Sequence, residues 1–294
     1  MLVMSASTVL VWLIFRLFAG SRQVDLDEPV TIIGGEAWIG DYQLPKYEIF
    51  WKKSWHKVVY AAYQEINTVP KFELQVSLEA DAGHGLVIGP TGSGKSELLK
   101  LVIKQMLFEQ PDCELTLIDF KGGATFNQFS GLMQLKRLVT DIDGHNPDEF
   151  WQGVRAEIGR REITLAANRA SRIEELDATP SKLPRHFIFI DELATALAES
   201  SHAISALTAV AARGRTLGLH LFAATQSVQS VPRAMLTNLR FRVALSDADP
   251  IDLALLNMKR PTEPQITPQG WASGIVQRPG VLSSYFNFPI GAKF

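Results

Sequence analysis

Cysteine is almost missing from this chain. The single thiol, Cys113, leaves no internal disulfide and no cysteine-built zinc site. That usage fits a reducing compartment, and Cys113 itself reads as a small apolar side chain beside a strand. A surplus of one charge is missing too. Lys and Arg total 29 against 31 Asp and Glu, a formal net charge of −2. The whole surface therefore has no general attraction for nucleic acid, and only a locally basic lining would serve one. No internal repeat or low-complexity tract interrupts the chain, which argues against solenoids and biased linkers. What remains is 294 residues, 46% hydrophobic and 20% charged, enough for one large α/β domain with a small appendage.

A long apolar stretch occurs at the start. Met1 to Phe15 carries no charge, Arg16 interrupts, and Leu17–Gly20 follows. A bilayer span needs roughly 20 apolar residues, a length this stretch just reaches if Arg16 snorkels to the headgroups. No basic region precedes it, so it is a poor signal peptide. Arg16, Arg22, Lys46, Lys52 and Lys53 follow it, which places the remainder in the cytoplasm. Residues 1–20 are therefore expected to anchor the chain in a membrane. A buried N-terminal helix, or a start site cut into a longer protein, is the alternative. Residues 21–74 are expected to form a juxtamembrane segment, with strands at Val30–Ile33 and Ala37–Ile39. An amphipathic helix over 47–66 would follow, with Trp51 and Trp55 among Lys52, Lys53 and Lys57. Residues 75–294 would be the main domain.

In the main domain apolar strands alternate with helices. A strand at Phe72–Leu78 is expected to lead in. Strands are then predicted at Leu86–Ile88, Leu115–Ile118, Phe187–Ile190, Leu219–Ala224 and Phe241–Ala244. Helices are predicted at Ser96–Phe108, Pro147–Asn168, His202–Ala212 and Pro232–Asn238, with short final strands at Gly274–Val276 and Val281–Phe286. Such alternation predicts an α/β fold with a largely parallel sheet and helices on both faces.

The chemistry sits at strand ends. After the Gly85–Ile88 strand comes Gly89-Pro90-Thr91-Gly92-Ser93-Gly94-Lys95-Ser96, followed by Glu97 and an apolar helix. Strand, glycine loop and helix form a phosphate-binding loop whose N–H groups and helix N-terminus wrap an anion. Lys95 would reach the β- and γ-phosphates of a nucleoside triphosphate such as ATP, and Ser96 would ligate Mg²⁺. Far downstream, Phe187–Ile190 ends in Asp191-Glu192. Open α/β sheets place their ligands at such carboxyl ends. Asp191 would hold Mg²⁺, and Glu192 would orient and deprotonate the attacking water. Leu115–Ile118 ends in Asp119-Phe120-Lys121-Gly122-Gly123-Ala124-Thr125-Phe126. Asp119 lacks an adjacent base, so the pair at 191–192 is the better metal-and-base candidate. Lys121 would stabilise phosphate charge or contact a threaded polymer, unless it only bridges strand ends. A last strand ends in Thr225-Gln226, where an amide could sense the γ-phosphate or bond the attacking water. Arginine-finger candidates are Arg213 and Arg215 before that strand, and Arg155, Arg160 and Arg161 on the helix before Asp191.

These segments, taken together and in order, resemble the FtsK/SpoIIIE branch of the HerA–FtsK motor ATPases. The carrying residues are His84–Glu97, Ile118–Gly123, Val139–Asp141, Glu157–Arg161, Ile190–Glu192, and Ala212–His220 through Ala224–Gln226. The resemblance implies a RecA-like core, a hexameric ring, ATP bound between subunits, and a polymer passing through the pore. The wording from Asp119 to Phe126 is most like the EccC ATPases of type VII secretion. Two substrates are implied: double-stranded DNA, as in conjugative or mobile-element transfer, or a secreted protein. DNA pumping is the leading expectation and protein secretion the alternative. An ATP-dependent assembly factor that does not pump is a third.

Overall fold

Continuous apolar runs bounded by turns make the central strands of this protein, as expected for strands covered on both faces. The computed structural model describes residues 83–260 except 143 and 145, residue 267, residues 269–290, Leu74 and Val76. It also describes the backbone of four short segments at 2–3, 30–33, 36–39 and 42–43. The chain divides into two units, one drawn mainly from residues 1–71 and the other mainly from residues 72–293.

In the first unit, β1 (Leu2–Val3), β2 (Val30–Ile33), β3 (Glu36–Ile39) and β4 (Tyr42–Gln43) pair antiparallel in that order. The expected strands at 30–33 and 37–39 are its central hairpin. The membrane anchor expected at 1–20 lies, apart from Leu2–Val3, outside the described residues, as does the helix expected at 47–66. Among the described residues, no helix is long and apolar enough to cross a membrane.

The second unit is built on eight strands in the order β12-β11-β10-β5-β9-β8-β6-β7. They are β5 (Gly85–Ile88), β6 (Glu114–Asp119), β7 (Leu135–Thr140), β8 (His186–Ile190), β9 (Leu219–Thr225), β10 (Phe241–Leu245), β11 (Trp271–Gln277) and β12 (Ser284–Pro289). The run from β10 to β7 is parallel, and β11 and β12 add an antiparallel edge. The order sets the chemistry. Strand β9 lies between β5, which feeds the glycine loop, and β8, which ends at the acidic pair. Ile88 pairs with Thr225, Ala223 with Ile190, and Ile190 with Ile118. The loops after β5, β9, β8 and β6 therefore open on one edge of the sheet.

The helices are α1 (Lys95–Glu109), α2 (Pro147–Ala167), α3 (Leu193–Glu199), α4 (Ser201–Leu217), α5 (Arg233–Leu236) and α6 (Pro250–Leu255). Helix α2 starts where the Asn146 side chain accepts from the N–H groups of Asp148 and Glu149, with Pro147 in the first turn. Ser200 caps α4 through Ala203 N–H, and Gly218, at φ 67°, ends it in the left-handed conformation. Trp151, Ile158, Leu207 and Val210, all at most 1% exposed, join the core formed by the strand residues.

Two expectations need correction. Residues 72–78 do not supply a strand at their described positions. The Val76 N–H and carbonyl instead bond the Gln105 side-chain amide, at 3.0 Å each. The last strand begins at Ser284 rather than Val281, because Val281 and Leu282 are 60% and 91% exposed in the turn before it.

The edge of the sheet opposite the phosphate loop buries imidazoles. His84 accepts from Leu221 N–H at 3.1 Å, and His220 Nδ1 bonds the Gly83 carbonyl at 2.9 Å. Burial, with His220 and Arg215 nearby, drives His84 down to about 3. Burial likewise takes His220 to about 4, against the upward pull of the Gly83 carbonyl and with Arg185, Arg161 and Arg215 adding to the drop. Both rings fold neutral, so below about pH 6.5 the unfolded chain binds more protons than the folded one. Stability should fall with acid through that window, by about 1.4 kcal/mol per pH unit for each ring. Thermal unfolding at pH 7.5 and pH 5 reads this directly, and a flat profile would contradict neutral burial of the two rings.

Candidate active site

The loop from Gly89 to Ser96 leaves β5 and turns into the N-terminus of α1. Gly92 and Gly94 have φ of 81° and 97°, values that favour glycine. At Gly94 a Cβ would also press to 3.1 Å from the Phe288 ring of β12. Ser93 closes the loop by donating from Oγ to the Pro90 carbonyl at 2.8 Å. The Lys95 ammonium lies within it, donating to the Gly89 and Pro90 carbonyls at 2.7 and 2.8 Å. Burial lowers its pKa and nearby Lys121 adds to this, while Glu192 and Asp191 oppose it. Glu97 faces Lys100 on the helix surface as an i,i+3 ion pair.

The acidic pair meets this loop. Ser96 Oγ donates to Asp191 Oδ1 at 2.7 Å across a separation of 95 positions. Asp191 is fully buried and Glu192 is 5% exposed. Gln226, on the loop after β9, bridges the halves. Its Nε2 donates to Glu192 Oε2 at 3.2 Å, and its Oε1 accepts from Thr91 Oγ1 of the phosphate loop at 3.1 Å. This follows from the strand order, which puts β9 between the other two. The segment after Gln226 is held by buried Asp252 of α6, whose Oδ1 accepts from Ser227 Oγ and Val228 N–H at 3.0 and 3.2 Å.

Asp119 sits at the neighbouring strand end, fully buried. It accepts from Lys121 N–H at 3.0 Å and Thr125 N–H at 2.7 Å, and so pins the Gly122-Gly123 turn. Its place is beneath that loop. Lys121 reaches the acidic pair, its Nζ 3.3 Å from Asp191 Oδ2 and 3.5 Å from Glu192 Oε2.

Two side chains in this site escaped sequence reasoning. Thr125 Oγ1 donates to Asp191 Oδ2 at 3.1 Å. Thr225 Oγ1 donates to Glu192 Oε1 at 3.0 Å. Each is a hydroxyl at the end of a motif already singled out, and that position was the available signal.

The arginines do not join this site. Arg161 is fully buried, donating to the Leu217 carbonyl at 2.9 Å and to Glu157 at 2.7 Å, near the opposite edge of the sheet. Both bonds tie its guanidinium to groups of this same chain. Arg160 chelates Glu157 with two bonds of 2.7 Å. Burial alone would raise Glu157, but its hydrogen bonds to Arg160 and Arg161 outweigh this and hold it at about 2. Arg213 pairs with Glu162, and Arg155 and Arg215 are exposed. Glu114, Glu157 and His186 also cluster near that edge, their ligand atoms within 4.8 Å of one another. Lys136 pairs with Glu114 there, and Arg161 with both Glu114 and Glu157.

Known proteins are similar to this chain. Residues 48–188 match the model of the FtsK/SpoIIIE family. The type VII secretion system protein EssC of Staphylococcus aureus is 31% identical over 208 residues, covering 68% of this chain and 14% of that protein. The chain thus spans a small part of such relatives. The solved cytoplasmic domain of the Thermomonospora curvata type VII secretion ATPase EccC superposes with a TM-score of 0.58 at 26% identity, covering 70% of this chain and 25% of that one. The pCW3 conjugation coupling protein TcpA, solved with ATPγS, superposes with a TM-score of 0.58 at 20% identity, covering 86% and 72%. That last likeness is one of fold. A mostly parallel sheet, the phosphate loop facing Asp191-Glu192, the family match and these relatives lead to one conclusion: this chain carries an FtsK/SpoIIIE-type P-loop ATPase domain with EccC-like similarity.

Proposed function

We propose that the chain is the ATP-hydrolysing motor part of a secretion-type assembly and acts on a protein substrate. The observation that carries the hydrolytic half is the 2.7 Å contact between Ser96 and Asp191, with Glu192 tied through Gln226 to the phosphate loop. The family implies ATP and Mg²⁺. The donors fit Mg²⁺, because a hydroxyl and a carboxylate are hard oxygen ligands already side by side. Bound there, Mg²⁺ would neutralise charge on the phosphates. Lys95 holds the phosphates, and the backbone of residues 89–96 wraps them. Glu192 takes the proton of the attacking water. Its carboxylate is oriented by Thr225 and Gln226, so its free lone pairs are aimed rather than mobile. Residues 75–294 form the motor, with 21–74 preceding it. Subunits assemble into a ring, where Arg213 or Arg215 of a neighbour completes the site.

The protein substrate rests on the relatives. Similarity to EssC and EccC reaches 31% and 26% identity, above the 20% shared with the conjugation protein. This favours a secreted protein over the DNA expected at first. ATPase assays with linear duplex DNA and with a small helical secretion substrate separate the two. Activation by the protein and indifference to DNA are expected. A several-fold, salt-sensitive activation by DNA would overturn the choice of substrate and leave hydrolysis intact.

Gln226 offers a finer test. Gln226→Ala removes the bridge without touching Lys95 or Ser96. Turnover should fall about tenfold to a hundredfold, while nucleotide affinity by titration stays close to wild type. A matched loss of affinity would make Gln226 a binding residue instead.

A further inference from the structure

The acidic pair carries a counter-charge of its own. Among the described residues, Lys121 is the one cation in ion-pair contact with either acid, at 3.3 Å from Asp191 and 3.5 Å from Glu192. Its Nζ also lies 3.4 Å from the Asp191 carbonyl oxygen. The other donors on these carboxylates are neutral: Ser96 and Thr125 on Asp191, and Thr225 and Gln226 on Glu192. Lys121 is not loosely placed. Asp119 holds the backbone at both Lys121 and Thr125, and Asp141 Oδ1 accepts from Gly122 N–H at 3.1 Å. Gly122 and Gly123 follow at φ of 80° and 73°, bending the loop back toward the strand ends. Yet the side chain is 36% exposed, so it has a route away from the acids.

From this geometry we infer that Lys121 is a resident counter-ion at the metal end of the phosphate site, a positioning residue that holds Asp191 and Glu192 and competes with Mg²⁺ for them. The inference rests on the nucleotide-site reading above, but it concerns the metal alone. Two buried carboxylates side by side repel each other, and one ammonium offsets part of that repulsion. A divalent ion arriving at Asp191 Oδ1, beside Ser96, meets an ammonium on Oδ2 of the same carboxylate. It binds well only once Lys121 withdraws, and the 36% exposed side chain has room to do so.

The test uses the full chain and Mg²⁺ alone, without nucleotide. The midpoint of Mg²⁺ stabilisation is read from thermal unfolding of wild type, Lys121→Met and Lys121→Arg. Lys121→Met should bind Mg²⁺ roughly tenfold more tightly or better, since an opposing unit charge a few ångströms away is gone. Lys121→Arg should stay near wild type. Equal midpoints for Lys121→Met and wild type would overturn the inference. Should Lys121→Met not fold, acylation of Lys121 in wild type, followed by mass spectrometry, decides. Its rate should rise several-fold when Mg²⁺ saturates, and an unchanged rate overturns the inference. ATP binding by wild type, and its loss in Lys95→Ala, checks the nucleotide site separately, so failure of one reading is not mistaken for failure of the other.

Discussion

Glu192→Gln should abolish most ATP turnover, by about a hundredfold to ten-thousandfold, and leave ATP binding largely intact. The substitution keeps the volume and removes the base. Asp191, Ser96 and Lys95 keep their own contacts, since the Ser96–Asp191 and Lys95–Gly89 bonds do not involve Glu192. Lys121 keeps Asp191 as a partner. What disappears is a carboxylate able to take a proton from water, oriented by Thr225 and Gln226. Steady-state hydrolysis and nucleotide titration on the same preparation separate the two effects. Turnover within about twofold of wild type would show that Glu192 is not the base, because general-base loss is a far larger effect.

Gly214→Ala should destabilise the domain by about 3 kcal/mol, lowering the unfolding temperature by roughly 6–12 °C. Helix propensity argues the other way, since alanine gains about 1 kcal/mol over glycine inside a helix. Gly214 lies within α4, so the two effects compete directly. Contact decides the sign. A Cβ at Gly214 would stand 2.3 Å from the Leu219 carbonyl oxygen and 3.1 Å from His84 Cε1. The first neighbour is backbone of β9 and the second a buried ring, so neither gives way cheaply. A rise in melting temperature would mean that α4 and β9 do not approach this closely.

Much of the fold was open to a reader of the sequence. Strands β5, β6, β8, β9 and β10 are nearly wholly buried and so read as unbroken apolar runs. Strand β7 did not. It is an edge strand, and exposed Lys136 and Arg137 break its pattern, as edge strands commonly require. Helix α3 was hidden because it follows the acidic pair at once, with no side-chain cap to announce it. Helix α6 has six residues, too few for a period to show. In the site, the identities of Lys95, Ser96, Asp191 and Glu192 were legible because each ends or begins an element. Their contacts were not. That Gln226 should meet Thr91 depends on β9 lying between β5 and β8, which is a fact of strand order and not of local pattern. Asp119 looked like a spare metal ligand. Its two backbone donors lie beyond it in a turn whose shape no spacing reveals.

The central claim is that the glycine loop and the acidic pair act on one bound Mg²⁺–triphosphate. A double-mutant cycle on Mg²⁺-dependent ATP binding, combining Ser96→Ala with Asp191→Asn, tests it most directly. Residues in contact couple, so the double variant should lose less than the sum of the singles, with an interaction energy of about 1 kcal/mol or more. Losses that add within about 0.3 kcal/mol would place the two side chains in separate sites and contradict the account.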